Sequence, residues 1–439
     1  MNNMKTTLSL IIFCTCCFFD INVKAQDAPH ANALSVEMTR RISKELLGPN
    51  SGPYLQPLIT TSNATANSRF FRSAFVPKKV DKPYFRFGVH SMFGFVRDDQ
   101  KSYTPIAPRM TLNDVLADKD VAEYSINIID PSKSTVKIKD TAGMVVDILK
   151  YLFDKGLGVD SSTSGLSFPK SAATVYGNKE SKFLLNSKYF KDQLTKDDPL
   201  LSLLFNSNAL SQSVKDTLLA AIDKFPFFFT LPQGGNINSV FAAIPQFEIG
   251  SLYGTELLIR LIPPIRLDKN IGNLSLWGIG LKHSISQYFN NNPFDAAFQM
   301  VYQKTHIENT IGITNAELNS NANVFDFNIQ FSKSFKDVID IYTGISYETI
   351  SISSSYKFYI PVEQQQQLGL LRLVNPPEIP KVEPEYPGDT KPQTVNYNLT
   401  DTNLKFILGV AKQIGSVTIF LDYNISKFNI FTAGADITF

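Results

Sequence analysis

From residue 240 to its last residue, Phe439, the chain alternates apolar and polar side chains in one run after another. In one run Phe325, Phe327, Ile329 and Phe331 share a face, and Asp326, Asn328, Gln330 and Ser332 share the other. A period of two is the pleat of a β-strand with one oily and one wet side. The closing run, Phe431 to Phe439, has apolar or small residues at odd positions and Thr, Gly, Asp and Thr at even ones. Another sets Val417, Ile419, Leu421 and Tyr423 against Thr418, Asp422 and Asn424; Phe420 is the exception, expected to pack against lumenal contents. A soluble sandwich alternates too, but seldom with one face so uniformly aromatic and the other so polar. Strands in lipid must close, because an open edge leaves backbone groups unpaired where no water reaches. The expected fold is all-β: an antiparallel transmembrane β-barrel.

Composition fits. The mean hydropathy is −0.06, as alternation rather than clustering produces. The net charge of +2 gives no argument for a nucleic-acid partner. No stretch reaches the ~20 apolar residues of a membrane helix. Lys5, the apolar core Leu8 to Phe19 and the small-residue site Val23-Lys24-Ala25 read as a signal peptide over 1–25. Cys14, Cys16 and Cys17 all lie inside it, so disulfides, thiolate metal sites and cysteine nucleophiles are not expected in the mature chain. The histidines His90, His283 and His306 are far apart in sequence, so no metal site is expected, and no cofactor motif appears.

Residues 26–83 read as an N-terminal plug or a periplasmic lead segment, and 84–439 as the barrel. A helical face of Leu34, Met38, Ile42 and Leu46 predicts a helix over 32–47, stopped by Gly48-Pro49. A first strand is expected over 84–97. The middle, 98–239, suggests helices over 142–153 and 206–225 and a strand near 172–176, set in loops or in the lumen. Its oily side chains (Leu200, Leu201, Leu203, Leu204, Phe205, Phe227, Phe228, Phe229) would form a gate, a pocket or plain core. Nine strands are expected from 240 onward. Links 290–293, 334–338 and 413–415 are short, and 306–320 and 361–402 long, alternating as the turns and loops of such barrels do. Chain ends on one side require an even number of strands, and 12–14 is favoured over 10.

Three charged residues stand out as ligand or lumen candidates. If Leu257, Ile259 and Leu261 face lipid, Glu256 and Arg260 face inward; the reverse would cost ~2–4 kcal/mol for Arg. Lys282 faces inward with Gly278 and Gly280 if Trp277, Ile279 and Leu281 face out. These groups would meet a polar head group or pair with a plug. His283 would sit near an interface. Thr305-His306-Ile307-Glu308-Asn309 is loosely similar to the His-x-x-Asn of outer-membrane phospholipases. However, Thr310 replaces that pattern's Gly and no Ser-Trp-Asn-Arg-like strand follows, so no catalytic residues and no enzyme activity are expected.

The segment 244–295 resembles an uncharacterised family of Bacteroidota-type outer-membrane proteins. Pro245-Gln246, Gly250, Gly254-Thr255-Glu256, Arg260, Pro263, Gly278 to Ser284, Gln287 and Pro293-Phe294-Asp295 carry the resemblance, and Tyr54-Leu55-Gln56-Pro57 adds to it. It implies a signal-bearing barrel and names no substrate. The final strand, ending on Phe439, is similar to the closing strands of Gram-negative outer-membrane barrels. That implies outer-membrane lipid and the barrel-assembly machinery as partners, with Phe439 in the assembly signal. Barrel plus plug is also similar, at fold level, to long-chain fatty-acid transporters (FadL-like). The expected role is passage of a hydrophobic or amphipathic small molecule. The alternative is a barrel that anchors or binds a surface or secretion partner, with 361–402 as the contact.

Overall fold

The computed structural model describes residues 31–68, 70–125, 127, 133–155, 166–206, 208, 210–268, 272–311, 316–335, 338–374 and 381–439. The expected signal peptide lies outside them. Ten strands close into an antiparallel barrel in chain order. They are β1 Tyr84–Phe95, β2 Ser239–Leu252, β3 Thr255–Asp268, β4 Gly272–Ser284, β5 Asp295–Ile311, β6 Ala316–Phe335, β7 Ile339–Phe358, β8 Gln393–Ile414, β9 Val417–Ile425 and β10 Ile430–Thr438. The seam joins β10 to β1, from Thr438 opposite Arg86 to Phe431 opposite Phe93. Phe439 extends it, its N–H donating to the Phe85 carbonyl at 2.8 Å while its ring stays exposed. Partners traced from Gly88 around the wall reach Asp401 one way and Gln413 the other, a stagger of 12 residues. A stagger near the strand number fits strands tilted roughly 35–45° to the barrel axis.

Ten strands replace the expected 12–14, because 98–239 adds none to the wall. Its short strands pair only among themselves, 102–103 with 172–173, 122–125 with 135–138, and 181–185 with 166–167 and 228–231. A spanning strand needs about 9–11 residues, and these have two to five.

The helices are α1 Ala33–Ala66, α2 Leu112–Ala117, α3 Thr141–Asp154, α4 Ser187–Asp192, α5 Pro199–Asn206, α6 Gln212–Asp223 and α7 Val362–Gln367. The helix expected over 206–225 is α6, which starts later, at Gln212, behind its Ser211 cap, while α5 ends at Asn206. The described residues of 96–238 and 359–392 leave the wall at the rim opposite Phe439 and fold into a cap. Its apolar core joins Met38, Ile42 and Leu46 of α1 to Leu149 and Leu152 of α3 and Ile222 of α6. The expected long loop 306–320 is instead mostly strand, the ends of β5 and β6. Within 361–402 lie α7, a short hairpin of 371–374 with 381–387, and the start of β8.

α1 does not stop at Gly48-Pro49. It is one 34-residue helix with Pro49, Pro53 and Pro57 inside it. Proline removes a backbone donor and crowds the carbonyl four residues back. Asn50, next to Pro49, ties the helix to itself and to the neighbouring chain: its Nδ2 donates to the carbonyls of Leu46 and Ile106, each at 2.8 Å, and its Oδ1 accepts the Ile106 N–H at 2.8 Å. Side-chain bonds thus brace the helix beside the place where its ladder lacks a donor.

Candidate functional site: the lumen

The wall has two zones of opposite polarity. Towards the Phe439 rim, β6 turns Phe325, Phe327, Ile329 and Phe331 outward and buries Asp326, Asn328, Gln330 and Ser332. β7 and β8 do the same, with Ile345, Tyr347, Leu404, Phe406 and Leu408 exposed over buried Ser346, Glu348, Asn403 and Lys405. Towards the cap the pattern inverts. Glu317, Asn319 and Asn323 face out while Leu318 and Val324 are buried; Ser351 and Ser353 face out while Ile350 and Ile352 are buried. The lower zone has an apolar belt around a polar lumen, the pattern of a barrel in lipid. The upper zone has a polar outside and an oily inside, as a water-exposed barrel has. Trp277 and Tyr302 lie edge to face at 5.7 Å beside this boundary, and Tyr302 donates to Asn323 Oδ1 at 3.0 Å. Aromatic rings of this kind mark membrane interfaces.

The lumen is filled by the chain's own N-terminal segment. α1 starts in the cap, where Ser35 Oγ donates to the Ala221 carbonyl at 2.9 Å and Arg40 and Arg41 pair with Asp389 and Asp140. Its second half lies inside the barrel: Ile59 packs on Val324, Ile350 and Ile352, and Asn63 Nδ2 donates to Asp401 Oδ2 at 3.1 Å. Its hydroxyls bond back to the helix, as Thr65 Oγ1 does to the Thr61 carbonyl at 2.8 Å.

Two cations from the wall close the helix end. Arg260 of β3 donates to the carbonyls of Ala66 and Ser68 at 2.8 and 2.7 Å, to Gln246 Oε1 at 2.9 Å, and lies 4.1 Å from the Phe70 ring centroid. Lys405 of β8 donates to the carbonyls of Ala64 and Asn67 at 2.9 and 3.2 Å and to Ser68 Oγ at 3.0 Å. Glu348, fully buried like Lys405, balances that ammonium at 2.5 Å. The carbonyl end of a helix carries partial negative charge, which cations stabilise. The tail then follows the polar lumen downward. Lys282 Nζ donates to the Ser73 carbonyl at 3.4 Å, Ala74 N–H to Ser332 Oγ at 2.9 Å, and Arg72 pairs with Asp436 at 2.9 Å.

The expected inward residues all face inward and are buried: Glu256, Arg260 and Lys282. They form two groups. Glu256 joins Lys282 at 2.5 Å, Tyr84 at 2.6 Å and Arg86 at 3.2 Å, while Arg260 holds α1. Gly278 and Gly280 leave no open space, because Gln303 and Val301 close over them. Phe420 does pack inside, in one cluster with Phe70 and Phe71 and edge-on to His90 at 5.2 Å. His283 bonds Thr255 and Tyr288 on the outer wall. His306 bonds Asn321 Oδ1 at 2.9 Å and Glu308 Oε1 at 3.0 Å. Leu201, Phe205 and Phe229 form no lumen gate; they belong to the cap core, and Leu200, Leu203 and Phe227 are exposed on the cap. Among the described residues, no cluster of His, Cys, Asp and Glu is arranged to hold a metal. Sequence reasoning missed Lys405 and Glu348, whose inward alternation in β7 and β8 was the available signal.

In the cap, pairing outweighs burial at two carboxylates. Burial disfavours the charge on Asp198, but the Lys155 ammonium at 2.5 Å and the Leu201 and Leu200 amides outweigh it and keep its carboxyl below the usual range. At Asp140 burial is likewise outweighed by the Gly143 amide and Arg41, again lowering the pKa.

One cavity stays open beside α1 in the upper zone. It holds about 100 Å³ and lies between Ser62, Thr65 and Ala66 of the helix and the wall from β2 to β7.

The curated proteins yield no match. Similar solved structures include Ail, the attachment invasion locus protein of Yersinia pestis, at 11% identity and a TM-score of 0.20, over 42% of this chain and 93% of that one. The OmpT outer membrane protein of Vibrio cholerae, lacking loop L8, is similar at 10% identity and a TM-score of 0.18, over 82% and 98%. OccK1 of Pseudomonas aeruginosa is similar at 8% identity and a TM-score of 0.11, over 82% and 99%. The sequence itself assigns the lineage: residues 4–439 match the Family of unknown function (DUF6588), and this plugged barrel belongs to it.

Proposed function

We propose that the protein is an outer-membrane barrel that passes hydrophobic or amphipathic small molecules, and that it has no enzymatic role. The α1 segment is its plug. The carrying observation is how the plug is held. Arg260 and Lys405 grip backbone carbonyls at the helix end, and an oily cavity lies alongside. The apolar belt supports the membrane setting, with the cap outward and the short-turn rim towards the periplasm. Outer-membrane lipid and the barrel-assembly machinery are the partners this setting requires. The analogy to plug-bearing fatty-acid transporters gives a reference solute. In liposomes, the full chain takes up a fluorescent fatty-acid analogue but excludes a polar dye, and a variant lacking residues 32–77 admits both. No uptake of the analogue by the full chain overturns the proposal.

A second reading is favoured by the cap. Within 361–402, α7 packs against the rest of the cap through Gln367, which accepts the Phe227 N–H at 3.1 Å, and Gln364, which donates to the Phe228 carbonyl at 3.2 Å, beside the exposed Phe227 ring. In this reading the barrel anchors a cap that binds a surface or secretion partner. Co-purification of one protein that is lost on replacing residues 375–380 and 363–374 with a short linker supports it. Unchanged co-purification removes it.

A further inference from the structure

We infer that the upper-zone cavity is a binding site for a small uncharged apolar group, such as the end of an alkyl chain. This deepens the passage reading, on which the ligand's route depends. Four observations converge. The cavity is lined by side chains such as Ile244, Ile262, Leu274, Ala322, Val324 and Ile350. Two of the hydroxyls at its edge are engaged elsewhere: Thr65 with the Thr61 carbonyl, and Ser320 with Ser354 at 2.8 Å. The cation beneath it, Arg260, is already shared among Ala66, Ser68, Gln246 and Gln303. Its volume of about 100 Å³ approaches the ~150 Å³ apolar cavities that stay dry and take up benzene or xenon.

An apolar group entering such a space gains contacts without displacing bound water. A carboxylate there would lose its hydration and meet only hydroxyls, with no cation among the lining residues. The site therefore selects the tail of a molecule and rejects its charged head. That head would have to remain outside the cavity.

The test uses the full chain in lipid nanodiscs, with a short alkane carrying a terminal trifluoromethyl group as probe. Fluorine NMR is expected to show a protein-bound resonance, lost in Ala322→Phe, which fills the cavity, and strengthened several-fold in Ile350→Ala, which enlarges it. A carboxylate on the same short tail is expected to give no such resonance. The inference is overturned if the native chain gives no bound resonance, if Ala322→Phe and Ile350→Ala both leave it unchanged, or if the carboxylate binds equally. Liposome uptake separates the two proposals. A bound resonance without uptake keeps the site and removes passage, whereas uptake without a bound resonance removes the site and keeps passage.

Discussion

At the residue scale, the lumen depends on a few buried charges whose partners are backbone atoms. Lys405→Met leaves Glu348 buried without its counter-ion and removes the bonds that Lys405 gives to the Ala64 and Asn67 carbonyls. Breaking a buried pair from one side costs about 3–5 kcal/mol, so the unfolding midpoint in detergent is expected to fall well below that of the native chain. Lys405→Met combined with Glu348→Gln is expected to recover part of the loss. Close approach matters too. Gly409 lies under Tyr342, whose ring atoms stand 2.2 Å from where a Cβ would sit, while Tyr342 donates to Asp422 at 2.7 Å and meets Phe71 edge-on. Gly409→Val is expected to displace Tyr342 and destabilise by roughly 1–3 kcal/mol, read as a lower denaturation temperature and faster proteolysis near residue 71. In the cap, Asp198 has a lowered folded pKa, so its contribution is present above the unfolded value, near 4, and is lost as pH falls through the folded value. Amide exchange in α3 and α5 is expected to quicken between pH 5 and 3, and Asp198→Asn to remove that dependence.

At the element scale, α1 is the test of how a helix survives three prolines. Asn50→Ala removes three bonds that brace it beside Pro49. At about 0.5–1.5 kcal/mol each, the loss is expected to open residues 45–55 to amide exchange while the strands stay protected; unchanged exchange there would count against the bracing role. Here the sequence was least legible. Gly48-Pro49 is a helix stop by local rules, and the bonds that brace the helix beside it reach residue 106, which no local pattern links to 50. The strands were far more legible. Phe325 to Ser332 and Val417 to Asn424 declare their faces by alternation alone. Segment 306–320 was missed because its alternation inverts: Asn319, Asn321 and Asn323 face out, so an oily outer face is lacking where one was sought. Glu256, Arg260 and Lys282 were correctly turned inward because lipid penalises the other orientation. What Arg260 grips was illegible, since Ala66 and Ser68 are nearly 200 residues away in the chain.

At the scale of the whole molecule, the barrel is two barrels end to end, one suited to lipid and one to water, with a single segment running through both. Outward charge substitutions should therefore sort by height. Ile329→Lys in the belt is expected to cost about 2–4 kcal/mol and lower the yield of folded protein, whereas Asn321→Lys above it is expected to be nearly neutral by the same heat-denaturation measurement. Equal effects would remove the boundary between Asn323 and Phe325.

Residues 33–46 are knotted into the cap core, yet the same segment leaves the barrel at the far rim before β1. The plug is therefore a rod with a bulky head on one side and the barrel wall fused to its other end. It cannot be drawn out through either mouth unless the cap first comes apart. On the passage reading, opening is a sideways yielding of the stretch gripped by Arg260 and Lys405. On that reading the stem is a captive bolt, and a solute crosses past it while it stays in its housing.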